Sequence, residues 1–291
     1  MTRRRYCRAV SSARTLLAGG YTNQVWKVRA GRDLLIEKQY SEHPPEPNPM
    51  YPNLPDHEAA ALAHLAGTGL VPELVSFTPA HDHQGAQLVY RYVSGTQWRR
   101  GTGDVARLLH AVHSGPAPTG LRTLHRSAAE ALARADAVID DVPLPAERER
   151  VRAHRPRGEM SDRPVRRPAL VHTDCGPGNL VRSRHGLVLI DWQCPGLGDP
   201  VEDLACFLSP AMMVLYAAPP HGRGAVQTFL SAYPDRVIVD RYRRDGAAWH
   251  YRIAAYCLWR AHRLAESKPD VAARYREALT AELALLARRQ R

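Results

Sequence analysis

The sequence predicts an α+β chain of two lobes, a small β-rich N-terminal lobe over residues 1–93 and a larger helical C-terminal lobe over 94–291 that contains a β-hairpin. Three observations predict it. Apolar runs bounded by turn residues dominate the first lobe, apolar residues recur at helical spacing from about residue 103 onward, and a short run of strands interrupts those helices between Ala169 and Trp192.

Gly19-Gly20 opens a turn, and Gln24–Arg29 and Asp33–Tyr40 read as strands joined by Ala30-Gly31-Arg32. Repeated proline from Pro44 to Pro55 removes backbone donors and blocks helix, so this stretch is a connector into helix His57–Ala66. Ala86–Val93 is a further strand, and the lobes divide near Ser94-Gly95, leaving a cleft between them as the default ligand site. Helices follow at Asp104–His113 and Ser127–Ile139, then an Arg-rich stretch, Glu147–Arg167, broken by Pro156 and Pro164. Ala169–Val171 is apolar, and Asn179–Val181 pairs with Leu187–Trp192 through the turn Ser183-Arg184-His185-Gly186. Helices resume at Val201, and Trp249–Leu264 and Val271–Arg288 show an apolar stripe; no internal repeat is present.

Composition excludes several classes. At 291 residues and 44% hydrophobic, the chain can bury roughly three quarters of its unfolded surface, which rules out disorder. No run reaches the roughly 18 apolar residues of a membrane span, and the basic N-terminus is not followed by an apolar core, so a cytoplasmic, non-membrane protein is expected. Five cysteines without a C-x-x-C pair suggest neither a disulfide framework nor a zinc cage. A net charge of +11 invites a polyanion partner, but Arg148–Arg167 lacks interleaved aromatics and reads as a solvated surface, so no nucleic acid is expected. Of 40 basic residues only Lys27, Lys38 and Lys268 are lysines, which gives a retained lysine weight.

The strongest motif is His172-Thr173-Asp174-Cys175-Gly176-Pro177-Gly178-Asn179, followed by Leu189-Ile190-Asp191-Trp192. A hairpin joining Asn179 to Asp191 brings two oxygen-bearing side chains to one end of a small sheet, which suits Mg²⁺, a hard cation content with one or two protein oxygens. Asp174 is then a nearby carboxylate able to take a hydroxyl proton. Asp and Asn beside Gly and Pro also suit an ordinary capped turn. In strand Asp33–Tyr40, Ile36 and Lys38 share one face. In helix His57–Ala66, Glu58 falls on the buried stripe with Leu62 and Leu65, which is costly unless it is paired; the competing reading is a first-turn acid favoured by the helix dipole.

These elements, with Gly198-Asp199-Pro200 and Asp203-Leu204-Ala205, resemble the aminoglycoside phosphotransferase and choline kinase family over roughly residues 16–210. The resemblance implies a bilobal protein-kinase-like fold with a catalytic hairpin, and ATP and Mg²⁺ as cofactors. It implies that Asp174 orients and deprotonates the acceptor hydroxyl, with His172 mainly architectural, and that Asn179 and Asp191 hold the metal. Lys38, paired with Glu58, would hold the α- and β-phosphates. Gly20, Thr22 and Asn23 would lie in a phosphate-covering turn, although Gly19–Asn23 is not G-x-G-x-x-G and equally suits a plain hairpin. Val25 and Ile36 would line the adenine pocket, and backbone groups of Arg91 and Val93 would meet the base edge. A nucleotide-binding module without turnover, the alternative, would be marked by damage at Lys38, Glu58, Asp174, Asn179 or Asp191, and none is damaged.

Gly176 stands where protein kinases keep a phosphate-contacting lysine, and no A-P-E follows Asp191; both favour a small-molecule hydroxyl acceptor over a protein. The family's acceptors are commonly cationic, so an amine-bearing metabolite or aminoglycoside is expected. Asp199, Glu202 and Asp203 are candidates to meet it, Asp203 reading also as a brace of the catalytic loop. Trp192, Trp249, Tyr256 and Trp259 are candidates for a cation–π box, though Tyr256 and Trp259 at i, i+3 also suit a core. A monomer or homodimer is expected.

Overall fold

The computed structural model describes residues 14–17, 23–41, 48–82, 84–157 and 161–290. The expected residues Gly20 and Thr22 lie outside them.

The N-terminal part is a five-stranded antiparallel sheet, order β1-β2-β3-β5-β4, built from β1 (Arg14–Leu16), β2 (Gln24–Ala30), β3 (Asp33–Gln39), β4 (Leu74–Thr78) and β5 (Gln87–Arg91). Gly31 turns β2 into β3 at φ 63°, a conformation that glycine adopts without a Cβ penalty. Alternation along β3 buries Ile36, Lys38 and Tyr40 on one face, at 5%, 2% and 4% exposure. Across that face lies α1 (Pro55–His64), which begins on Pro at its first position and buries Glu58, Ala59, Ala61 and Leu62. The Leu54 N–H donates to the Gln193 carbonyl at 2.9 Å, tying the start of α1 to the chain just past Asp191.

The chain leaves this sheet at Arg91, and Thr96–Gln97 (β6) already pairs with the hairpin of β8 (Leu180–Ser183) and β9 (Gly186–Leu189). Helices α2 (Thr102–Ser114), α3 (Ala128–Asp140) and α4 (Pro145–Arg152) precede β7 (Ala169–Val171), and β10 (Gly196–Gly198) pairs with β7. Then come α5 (Val201–Leu208), α6 (Pro210–Leu215), α7 (Arg223–Ala232), α8 (Arg236–Asp245), α9 (Ala247–Arg263) and α10 (Pro269–Arg289). α9 is the axis of the helical part: it is buried almost end to end, with α3 and α10 packed along it.

The Val237-Ile238-Val239 run has strand-like β-branching yet forms α8, because the Asp235 carboxylate caps the N–H groups of Val237 (2.9 Å) and Ile238 (3.2 Å). The Arg-rich stretch is helical only over α4, where Arg150 pairs with Glu147, and Arg152 and Arg155 reach back to Asp140 and Asp136 on α3. Those partners compensate three of its arginines, Arg150, Arg152 and Arg155. Among the described residues no helix is long and apolar enough to cross a membrane.

Candidate active site

Lys38 sits at the meeting of three elements. Its ammonium, on β3, donates to Glu58 Oε2 of α1 at 2.7 Å and to Asp191 Oδ1, just past β9, at 2.6 Å. Burial alone would drive the ammonium toward its neutral form, but the charges of Asp191 and Glu58 outweigh it and hold the lysine well above its ordinary range. Burial pushes the Glu58 carboxyl up and Lys38 pulls it back. The Tyr40 hydroxyl donates to the same Glu58 oxygen. Tyr40 was legible as a neighbour, since it lies two residues beyond Lys38 on the same strand face.

The loop after β7 carries the motif. Thr173 and Asp191 adopt positive φ of 72° and 62°, strained for residues with a Cβ. The strain at Thr173 is held by Asp203 at the start of α5, whose two oxygens accept from the His172 N–H (2.9 Å) and the Thr173 N–H (2.8 Å). His113 of α2 fixes the same carboxylate at 3.0 Å. His172 braces the loop from inside: Nε2 donates to the Ile190 carbonyl at 3.0 Å, which leaves Nδ1 to accept from the Asp174 N–H at 3.1 Å. The Ile190 N–H donates to the Asn179 carbonyl at 2.9 Å, so the hairpin closes with Asn179 and Asp191 side by side at its end.

Asn179 donates its amide to the Asp174 carbonyl (2.7 Å) and to the Tyr216 hydroxyl (3.0 Å), which in turn donates to Asp174 Oδ1 at 3.0 Å. The Tyr216 ring lies over Gly176 and Gly178, where an added Cβ would stand 2.3 and 2.2 Å from ring atoms, so both positions require glycine. Tyr216 carries no sequence signal: it follows α6, far along the chain from the loop it covers. Burial, then the Asp191 charge, pushes the Asp174 carboxyl up to about 7, against the hydrogen bonds from Tyr216 and Asn179.

The metal-binding fit rests on the donor set. With its amide nitrogen engaged, Asn179 presents Oδ1, and Asp191 retains Oδ2 beyond the oxygen bonded to Lys38. Two hard oxygens suit Mg²⁺, and among the described residues no group of three His, Cys, Asp or Glu side chains offers a zinc-like cage.

A cleft of about 700 Å³ joins these groups. Asn23, Val25, Ile36, Lys38, Val93, Asp174, Asn179 and Asp191, all expected at a ligand site, line it, as do Tyr90 and Tyr92. Glu58 stands behind Lys38, and His172 behind the loop. Arg91 does not line the cleft: its N–H donates to the Glu73 carbonyl at 2.9 Å and its guanidinium pairs with Asp33 and Glu73. Asn23 is not a free donor, because its amide exchanges hydrogen bonds of 2.8 and 2.7 Å with Asn53.

Two expectations about the acceptor are corrected. Asp199, just before α5, and Glu202, in its first turn, are buried and paired with Arg241 (2.5 Å) and Arg252 rather than facing the cleft, whereas Asp203, paired with His113, is the loop brace also expected of it. The four aromatics form no box. Trp192 is fully buried beside His172, and Trp249 and Trp259 are buried on α9, leaving only Tyr256 to line the cleft.

The model of the phosphotransferase enzyme family matches residues 14–237. Sequence comparison with curated proteins gives no match. Among solved structures the chain is similar to a spectinomycin phosphotransferase in complex with ADP and spectinomycin, at 14% identity and a TM-score of 0.61, covering 95% of this chain and 93% of that one. It is also similar to a choline/ethanolamine kinase family protein from Mesorhizobium loti, at 20% identity, a TM-score of 0.59 and coverage of 95% and 92%. An ethanolamine kinase from Plasmodium vivax aligns at 12% identity and a TM-score of 0.61, covering 96% of this chain and 83% of that one. The fold is therefore the bilobal protein-kinase-like fold shared by these enzymes, and with the family match spanning most of its length, the chain belongs to the phosphotransferase enzyme family.

Proposed function

We propose that this phosphotransferase is an ATP- and Mg²⁺-dependent small-molecule kinase that moves the γ-phosphoryl group to an alcohol. The observation that carries the reading is the convergence of Lys38, Asp191, Asn179 and Asp174 on one cleft from β3, the hairpin and the loop before it. Lys38, fixed by Glu58, would bind the α- and β-phosphates, and Val25 and Ile36 would cover the adenine. Asn179 and Asp191 would hold Mg²⁺, which when bound supplies positive charge on the β- and γ-phosphates. Asp174 would orient the acceptor hydroxyl in line with the γ-phosphorus and take its proton, a role for which a carboxyl near neutrality is suited. The described residues hold the loop and hairpin rigidly through Asp203 and His172, so these groups need little rearrangement.

The test is transfer of label from γ-labelled ATP to a panel of hydroxyl compounds, with calorimetric titration of ADP alongside. Labelled product that requires Mg²⁺ and vanishes in Asp191→Ala supports the reading. Failure to bind ADP, or transfer of equal rate in Asp191→Ala, would overturn it.

A further inference from the structure

The cleft has two ends of different chemistry. Strands β2, β3 and β5 with Lys38 form one. The other is walled by the end of α9, the turn after it and the start of α10, which contribute Arg260, Lys268, Arg274 and Tyr275. Arg260 lies four residues beyond Tyr256 on α9, hence on the same helix face. The Tyr256 ring meets Tyr51 edge-on at 4.9 Å, and the Tyr51 hydroxyl points to Met212 Sδ of α6, the helix that delivers Tyr216 to Asp174. A continuous lining thus runs from Asp174 to Arg260.

The buried arginines Arg241 and Arg252 are paired with Asp199 and Glu202, and Arg263, one turn from Arg260, with Asp141. Arg260, Lys268 and Arg274 have no ion-pair partner among the described residues, and the buried Nε of Arg260 has no hydrogen-bond acceptor at all. Among the described residues the acids lining the cleft are Asp174 and Asp191, and Asp191 already faces Lys38. Among the described residues the acceptor end therefore carries positive charge with no facing acid, between low-dielectric walls, in a chain of net charge +11 that steers anions toward it.

Resting on the kinase reading above, we propose that the acceptor is an anion, a small alcohol bearing a carboxylate or phosphate group that Arg260 grips with Lys268 and Arg274. The guanidinium fork matches either group, and the two lysine and arginine charges at the mouth add attraction without demanding one geometry. In the transfer, the acceptor oxygen bonds to the γ-phosphorus as the bond from that phosphorus to the bridging oxygen breaks; ADP leaves with the electron pair, and the hydroxyl proton passes to Asp174.

The experiment offers γ-labelled ATP and Mg²⁺ with three sets of acceptors: D-glycerate and glucose 6-phosphate, glycerol and glucose, and choline, ethanolamine and an aminoglycoside. Label should enter the first set, and which of its two members is used distinguishes carboxylate from phosphate. The KM for that acceptor should rise at least tenfold in Arg260→Gln, and also in the surface pair Lys268→Gln/Arg274→Gln, while the KM for ATP moves less than twofold. Preference for neutral or cationic acceptors, or an unchanged acceptor KM in both variants, would overturn the proposal and leave the kinase reading standing. Independently of the acceptor, inorganic phosphate and citrate added to the ADP-loaded enzyme should raise the Tm of the parent chain and not that of the triple variant. Equal shifts would count against it, and absence of ADP binding would remove both readings together.

Discussion

Lys38 and Glu58 were legible in the sequence because period two in a strand and period 3.6 in a helix each placed a charge on an apolar face, and two such charges bury together only as a pair. What sequence could not give is the third partner, Asp191, since that contact depends on how the sheet docks on the hairpin. Removing Glu58 leaves a buried ammonium with one partner instead of two. Glu58→Ala should cost about 3 kcal/mol in urea unfolding, whereas Tyr40→Phe, which removes one donor to the same carboxylate, should cost about 1 kcal/mol. Equal stability of Glu58→Ala and the parent chain would show that the pair is not buried as described. Asn23 lines the cleft as expected but exchanges amide hydrogen bonds with Asn53, and the Arg91 N–H, expected from the family resemblance at the base edge, goes to the Glu73 carbonyl; neither partner could be read from local sequence.

At the scale of elements, the loop between β7 and β8 owes its shape to partners from elsewhere. Asp203 reaches it from α5, and Tyr216 covers it from the end of α6. The motif announced a structured loop, and Asp203 was readable as its brace; Tyr216 was not, because an aromatic after an apolar helix looks like any core residue. Gly178→Ala places a Cβ against the Tyr216 ring, so the ring must move off Asp174. Overpacking of this kind should destabilise by about 1–3 kcal/mol and lower turnover, read as Tm and rate together; an unperturbed Tm would mean that the ring does not lie over the glycine. Asp203→Ala uncaps two backbone N–H groups beside a strained residue and should cost at least about 3 kcal/mol in urea unfolding. Sequence placed helices from Val201 onward without bounding α7 or α8; at α8 the run Val237-Ile238-Val239 suits a strand by its β-branching, and the Asp235 cap favours helix.

At the scale of the molecule, Asp199, Glu202 and Asp203 of a chain of net charge +11 are buried, the first two tying α8 and α9 through Arg241 and Arg252 and the third holding the catalytic loop, so none of the three faces the cleft. Composition gave the sign of the net charge but not its distribution, and Asp199 and Glu202, candidates to meet a cationic acceptor, instead face inward to Arg241 and Arg252. Stability should also carry a histidine signature. Burial, with nearby Arg252, Arg134 and Arg122, lowers His125 to about 3, so the folded chain keeps it neutral while the unfolded chain takes up a proton below its ordinary value of 6.5. Stability from this residue is present above pH 6.5 and is lost as pH falls toward 3, by up to about 1.4 kcal/mol per pH unit. Urea unfolding of His125→Leu between pH 7.5 and 5 should show a shallower loss than the parent chain; parallel curves would contradict it. The claim on which the rest depends is that Asp174 serves the transfer itself rather than the fold. Single-turnover transfer of labelled γ-phosphate by Asp174→Asn, measured with ADP affinity and Tm, tests it directly. Transfer slowed about 10³-fold with affinity and Tm retained is the predicted result, and transfer at the parent rate would contradict it.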